Sequence, residues 1–558
     1  MQFIKCSFIV CFLSASLFSL SQSTYLQQGS KDMITAERLE IKAGTNENLN
    51  YSANKPFSRK MLVEEGQKLD SVKLKMSAVD RYNLQSLYMN NSEWYNGDQS
   101  SFLSKRPILK TLYKTQVNLL EVNNKDFFLA LNPVIQYQQM KEGNNSQNTF
   151  LNSRGIVARG HINKKIGFYT YLTDNQERAP GFVQHWEDST KAVPGAGFLK
   201  AFKAGGGYDY FDARGGITFN VAKYVDVTFA YDKNFIGDGY RSLFLSDFSN
   251  SYLFLKLNTR IWKLNYQNIF MELTENSTRG TADSLFPKKY AVMHHLTFNA
   301  TRWLTLGLFE SVIFGRKDHF DFAYMNPIIF YRSIEQQLGS FDNANIGFDL
   351  KANVAHSFQF YGQLLFDEFI FKRLKVKGAY ENKYAVQLGA KYIDAFGLPN
   401  LDLQLEANLI RPFVYSHYTD VASYTQYNQP LAHPVGSNLR EVVAIARYQP
   451  IPKLMLQGRI IYYQQGIDSA NSNFGSNIFL LNGTRSHGND GYKTGEGAQK
   501  ATCVNAVLWA SYEIRQNIFI DGTLLLRNYK GDLSPLAGNT NVFSLGIRMN
   551  MHRREYNF

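Results

Sequence analysis

Leu401-Asp402-Leu403-Gln404-Leu405-Glu406-Ala407-Asn408-Leu409 decides the fold. Apolar residues hold the odd positions, and charged or polar residues hold the even ones. Successive side chains of a strand point to opposite faces, so this segment has one apolar and one hydrophilic face. The period of two recurs from about residue 106 onward. Val225, Val227, Phe229 and Tyr231 alternate with Asp226, Thr228, Ala230 and Asp232. Phe358, Phe360, Leu364 and Phe366 alternate with Gln359, Tyr361, Gln363 and Asp367. Leu454, Leu456, Ile460 and Tyr462 alternate with Gln457 and Arg459.

A soluble β-sandwich also alternates, but three features point to a membrane barrel. The runs are about 10–14 residues long, where globular strands average 5–6. Their polar face carries charges of both signs, as a wet or plugged lumen would. Turns alternate between short and long. Short ones lie near Asn123-Asn124, Asn163-Lys164, Ala222-Lys223, Arg260, Thr301, Ala355-His356, Gly397-Asn400, Gln449-Pro452 and Arg515-Asn517. Long excursions cover roughly 140–152, 176–210, 234–250, 275–288, 315–342, 372–380, 414–437, 467–500 and 530–540. In outer-membrane barrels the short turns are periplasmic and the long loops extracellular. The aromatic share of 15% suits interfacial girdles.

The expected fold is therefore all-β, a transmembrane outer-membrane barrel of about 18–20 antiparallel strands over residues 106–558. About nineteen strands fall between 108 and 552, the first being Ile108 to Glu121. That strand precedes a short turn and so descends, which leaves the chain one upward strand short of a periplasmic amino terminus. Asn48 to Phe57, with Leu49, Tyr51 and Ala53 alternating with asparagine and serine, is the candidate. The rest of 22–105 is more polar, with helix-compatible stretches at Lys31 to Lys42 and Lys60 to Lys68; it reads as a flexible leader or as a periplasmic or luminal plug.

Both ends carry export signals. Met1 to Ser21 reads as a signal peptide, with Lys5 in the n-region and Phe8 to Leu20 as the apolar stretch. Cys6 and Cys11 leave with it, so Cys503 alone remains and no intrachain disulfide can form. At the other end Phe543, Leu545, Ile547, Met549 and Met551 face one way and Ser544, Gly546, Arg548 and Asn550 the other. This closing strand is expected to run to Phe558, a terminal aromatic that resembles the signal read by barrel-insertion machinery. The expected location is the outer membrane.

The chain carries a net charge of +13. Its basic residues are scattered, which suits anionic surface polymers better than nucleic acid. No cofactor or metal site is read. Gly205-Gly206-Gly207 and Gly195-Ala196-Gly197 stand in no βαβ unit, and Lys493-Thr494 follows Gly491 with the wrong spacing for a phosphate loop. His294 and His295, adjacent on a strand, point to opposite faces and cannot share an ion. Nothing asks for catalysis. Polar and aromatic residues instead concentrate near the outer strand ends: Asp238, Tyr240, Arg241 and Asp247; Tyr331, Arg332 and Glu335; Asp367; Glu406 and Arg411; His433 and Arg440. Rings beside carboxylates and guanidinium groups suit sugars, whose apolar faces stack and whose hydroxyls bond to charge. The same residues would serve equally as buried pairs that anchor loops. Asp226, Asp232, Asp402, Glu406, Arg459 and Arg527 would line the pore if the protein were a porin.

Four stretches carry a family resemblance: Asp232 to Asp247; Asn326 to Glu335; Phe360-Tyr361-Gly362-Gln363 with Asp367-Glu368-Phe369; and Leu431-Ala432-His433-Pro434 before Asn438-Leu439-Arg440-Glu441. They resemble the gliding-motility RemB-type proteins of Bacteroidetes, a group similar, more remotely, to the capsule-assembly Wzi family. The resemblance implies a cell-surface barrel. Wzi-type barrels have 18 strands and hold capsular polysaccharide at the outer face. RemB-type proteins are associated with surface motility. The implied partners are outer-membrane lipid, surface polysaccharide, and motility or secretion machinery.

Overall fold

The computed structural model describes residues 24–558 except 28, 73, 144, 203–205, 276–284, 369, 374 and 535. The signal reading of 1–21 lies outside the described residues. Eighteen antiparallel strands close a barrel. They are β1 (Phe127–Glu142), β2 (Thr149–Ile162), β3 (Ile166–Arg178), β4 (Tyr208–Ala222), β5 (Val225–Asp232) and β6 (Tyr252–Ile261). Next come β7 (Leu264–Thr274), β8 (Lys288–Asn299), β9 (Leu304–Phe314), β10 (Asn343–Val354), β11 (Phe358–Glu368) and β12 (Lys383–Tyr392). The last are β13 (Leu401–Ile410), β14 (Leu439–Ile451), β15 (Leu454–Ile467), β16 (Gln499–Arg515), β17 (Ile518–Lys530) and β18 (Gly538–Met549). The ring closes where β18 pairs with β1, Val542 against Glu142 through Met549 against Ile135.

Alternation sets the two faces. On β13, Leu405 is 57% exposed to the outside while Glu406 is fully buried in the lumen. No helix among the described residues is long and apolar enough to cross a membrane; the crossing is made by strands. The closed antiparallel ring pairs each strand with two neighbours, as a barrel that crosses an outer membrane must, and its exterior is apolar.

The strand count stays at 18 because two expected strands are not in the wall. Residues 108–119 turn repeatedly, with left-handed φ at Leu109, Lys110 and Tyr113 that a strand cannot hold. The short segment Leu120–Asn123 pairs with Phe128–Leu131 and fills the edge of β1 that β18 leaves open. Asn48 to Phe57 is luminal. The Asn46 carboxamide accepts the backbone N–H of Asn48 and of Leu49, both at 3.0 Å, and so diverts the chain into a turn of 3₁₀ helix at Leu49–Tyr51. Only Asn54–Lys55 is extended, and it pairs inside the barrel with Phe235–Ile236. β1 ascends from the periplasm, so parity needs no extra upward strand.

Helices α1 (Lys31–Ala43), α2 (Arg59–Ser71) and α3 (Ala78–Asn90) pack around Leu39, Leu62, Val63, Leu84 and Leu87. They sit in the lumen against the short turns. Arg38 donates to Asp80 at 3.0 Å, to Asp394 at 2.9 Å and to Asp402; His356 contacts the Lys42 carbonyl at 2.8 Å. Ser77 and Asp80 form a reciprocal cap at the start of α3.

The closing strand does not reach Phe558. It stops at Met549, Asn550 takes a left-handed φ of 51°, and the tail turns back into the lumen. There Phe558 packs against Phe182 and Trp186 of α4 (Gly181–Thr190), ring centres 5.9 and 5.4 Å away. Since α4 follows β3 on the long-loop side, the tail crosses the lumen from the periplasmic to the extracellular end.

Candidate functional site

Two long loops fold inward rather than outward. Residues 233–251 bring Leu243, Phe244 and Leu245 into the lumen, all fully buried, where Phe244 stacks on Phe309 of β9 with ring centres 4.4 Å apart. Residues 411–438 lock over them. Tyr415 donates its hydroxyl to the Leu243 carbonyl at 2.9 Å, and Tyr424 to the Phe244 carbonyl at 2.6 Å. An apolar triplet in a long loop has nowhere else to bury itself on a barrel whose outer face meets lipid.

A charged network holds this cap to the wall. Glu406 of β13 accepts the backbone N–H of Tyr240 at 2.7 Å and of Arg241 at 3.1 Å, and the Tyr361 hydroxyl at 2.9 Å. Glu441 of β14 pairs with Arg241 at 2.9 Å and His433 at 2.9 Å. The tail joins in: Arg241 donates to the Asn557 carbonyl at 2.6 Å, the Asn557 amide to the Tyr240 hydroxyl at 2.7 Å, and Arg459 donates to that hydroxyl at 2.6 Å while pairing with Glu555. Arg241, Glu406, His433 and Glu441 are each 3% exposed or less. Burial lowers the His433 imidazole below its ordinary value against the opposing pull of Glu441. Burial alone would raise the Glu555 carboxyl, but Arg459 and Arg553 outweigh it and hold it down to about 2.

The expected site residues therefore divide. Tyr240, Arg241, Glu406 and His433 meet in this one network as anchors, Tyr240 half-buried and the other three buried. Asp238 is also buried; it faces Lys351 at 3.3 Å, which pairs with Glu40 of α1 at 2.7 Å. Asp367 accepts the Tyr415 N–H at 2.6 Å, tying the second inward loop to β11. Arg411 donates to the Ala379 carbonyl at 3.0 Å. Asp247 is exposed and borders a luminal cavity of about 190 Å³ that Arg214, Lys233 and Arg554 also line. Two groups lie elsewhere. Arg440 points out of the barrel, because alternation turns Leu439 and Glu441 inward. Tyr331, Arg332 and Glu335 lie on the outer wall over β8 and β9. His295 faces the lumen, 2.9 Å from Asp349, and His294 faces out.

A half-exposed aromatic and charged patch does exist at the extracellular face, built by the loops that follow β11 and β15. Gly378, at φ +75°, lets them touch: a Cβ there would lie 2.6 Å from the Tyr492 nitrogen. Arg485 stands 4.2 Å over the Tyr380 ring, Asp490 pairs with Arg373, and His487 and Asn489 are exposed beside them. None of these six stands out as a site in the sequence, although four of them share one run. Their signal is the run Arg485-Ser486-His487-Gly488-Asn489-Asp490-Gly491-Tyr492, ring and charge on a glycine-punctuated loop in one of the longest excursions. Among the described residues no group of three or more His, Cys, Asp or Glu is placed to hold a metal.

A family model described as capsule assembly protein Wzi matches residues 253–553, more than half of the chain. Among solved structures the chain is similar to Wzi of Escherichia coli, described as an outer membrane protein involved in group 1 capsule assembly and a carbohydrate-binding β-barrel. The identity is 13%, over 96% of this chain and 100% of that one, with a TM-score of 0.58. OprD of Pseudomonas aeruginosa is 12% identical over 75% of this chain and 94% of its own, with a TM-score of 0.42. OccAB2 of Acinetobacter baumannii is 8% identical over 75% and 97%, also at 0.42. The first likeness is one of fold, and the other two are distant. No curated protein matches the chain.

Proposed function

The chain belongs to the capsule assembly protein Wzi family, and we propose on that premise that it is a non-catalytic outer-membrane barrel that binds or organises surface polysaccharide. The observation that carries this reading is the filled lumen. Helices α1 to α3 occupy its periplasmic end, and the two inward loops with the tail occupy the rest. What the protein offers the outside is its loop cap. On that cap Tyr380, Arg485, His487 and Asp490 supply the ring, guanidinium and carboxylate set that sugar recognition uses. The E. coli relative, described as carbohydrate-binding, supports the same reading.

The finer proposal adds the RemB-type resemblance: surface attachment or gliding is the cellular readout, with motility or secretion machinery as partner. The charges that would line a porin are instead engaged. Asp402 pairs with Arg38 and Arg459 with Glu555; Asp232 accepts the Tyr169 hydroxyl at 2.8 Å; Arg527 donates to the Leu536 carbonyl at 2.8 Å.

The test is binding of the organism's own purified surface polysaccharide to the full-length protein. Arg485→Ala and Tyr380→Ala are each expected to weaken it about tenfold, the loss typical of a central contact residue. Arg440→Ala, on the outer wall, is expected to leave it unchanged. Wild-type affinity in both cap variants, together with normal capsule retention and spreading in a deletion strain, overturns the proposal.

A further inference from the structure

The segment between β9 and β10, residues 315–342, neither caps the lumen nor stands up into the medium. Its position follows from strand alternation. On β8 His295 faces the lumen, so His294 faces out; on β9 Phe309 stacks on luminal Phe244, so Glu310, Val312 and Phe314 face out. The segment covers just these outward residues. Tyr331 lies with its ring 3.8 Å from the His294 ring, Arg332 donates its backbone N–H to Glu310 at 2.9 Å, and Tyr324 stacks on Phe314 at 4.8 Å. Val292, Val312, Phe270 and Ile334 complete a core on the outside of the wall. The strap is clasped at its root, where Arg316 pairs with Asp342 at 2.6 Å and the Tyr324 hydroxyl donates to Asp342 at 2.7 Å.

The strap dips below the rim. Glu310 is four residues from the upper end of β9, so its contact with Arg332 lies about 13 Å down the strand. At barrel tilt that is on the order of 10 Å of height, within an apolar band about 25 Å tall. Beneath it the wall is bare: Leu306 and Leu308 are 43% and 51% exposed. The strap continues that surface. Its outward side presents Phe322 at 77%, Ile328 at 84%, Phe330 at 52% and Phe341 at 55% exposure. Its deep guanidinium group is neutralised, Arg332 pairing with Glu335 at 2.6 Å. It also hides a polar row. Asn268, His294 and Glu310 are register partners across three strands, all outward and all buried. Without the strap that row would face acyl chains, at the cost polar groups incur on the lipid face of a barrel.

We propose that residues 315–342 form a membrane-inserted strap whose exposed apolar side chains, Phe322, Ile328 and Phe330 among them, bind the acyl chains of the outer leaflet. The occupant is lipid rather than a protein because the patch is continuous with the lipid-facing wall below it. The strap replaces the first shell of lipid on one sector of the barrel and presents a second apolar surface in its place.

Site-directed nitroxide labelling of the full-length protein in liposomes tests this. Cys503 is buried, and wild-type protein carried through labelling gives its background. Labels at Ile328→Cys and, separately, Phe322→Cys are compared with Leu308→Cys on the bare wall and Ser486→Cys on an extracellular loop. The expected result is collision with oxygen several-fold above collision with a water-soluble nickel chelate at 328 and 322, as at 308, and the reverse at 486. Nickel collision at 328 and 322 equal to that at 486 places the strap in water and overturns the proposal. Low collision with both reagents places it under protein, a second copy or a partner, and overturns it equally. Two positions keep the outcome clear if one substitution disturbs the strap. The result is independent of polysaccharide binding, which concerns a different face.

Discussion

Glu555 lies between the guanidinium groups of Arg459 and Arg553, and its carboxyl is held down to about 2 against an ordinary value of 4.5. The unfolded chain takes up a proton as pH falls through 4.5, while the folded chain resists until about 2. The stabilisation is therefore complete above 4.5 and lost as pH falls through about 2. It amounts to on the order of 3 kcal/mol. Thermal unfolding in detergent is expected to show wild-type stability declining across that window. Glu555→Gln should start lower at neutral pH, with Arg459 left buried beside a neutral partner, and decline less. Parallel curves would show that Glu555 does not anchor the tail. At this scale the sequence is half legible. Asp238, Tyr240, Arg241, Glu406 and His433 stand out as polar and aromatic density, and the structure does use them. What composition cannot show is that the 233–251 loop folds inward, turning a ligand-like constellation into buried anchors. The one hint is Leu243-Phe244-Leu245, an apolar run in a loop, where water would be a poor solvent for it.

Strands are the most legible elements, because one face meets lipid and the other a polar lumen, and a one-residue slip would reverse both. Leu401 to Leu409 is a wall strand, as its alternation leads one to expect. Asn48 to Phe57 alternates too, yet its outcome was decided locally by the Asn46 carboxamide, which period-two reading does not weigh. The strap is illegible for another reason: Tyr331-Arg332-Ser333-Ile334-Glu335 is polar enough to suggest a binding loop, and nothing in sequence says which side of a wall a loop will cover. The tail is the sharpest case. A terminal phenylalanine on a barrel reads as the end of the last strand, whereas Asn550 breaks the strand and Phe558 anchors α4. Truncation after Asn550 is accordingly expected to leave the barrel intact, as judged by heat-modifiable migration on gels. It should free α4, measured as protease cleavage near Thr190 at least several-fold faster than in wild type. Unchanged cleavage would mean that the neighbours of Phe182 and Trp186 suffice without the tail.

At the scale of the molecule, the cap and the plug are two seals in series along one lumen. Ionic resistances in series add, so removing one seal leaves the other to block the path. The full-length protein is expected to give no stable conductance steps in planar bilayers. Deleting residues 24–105 alone should not open it, since the inward loops remain locked by Tyr415 and Tyr424 and by the Arg241–Glu441 pair. Deleting 551–558 and replacing 234–249 with a short glycine-serine turn should not open it alone either, since α1 to α3 stay tied to the short turns through Arg38. Both sets of changes together should yield ohmic steps. The wall itself does not depend on either filler, because each of its 18 strands is hydrogen-bonded to two neighbours around the closed ring. Steps from the unmodified protein, or from either single deletion, would mean that one of the seals is not closed. Steps from the unmodified protein would make the lumen a conduit, and the porin reading would displace polysaccharide binding at the cap as the account of what this barrel is for.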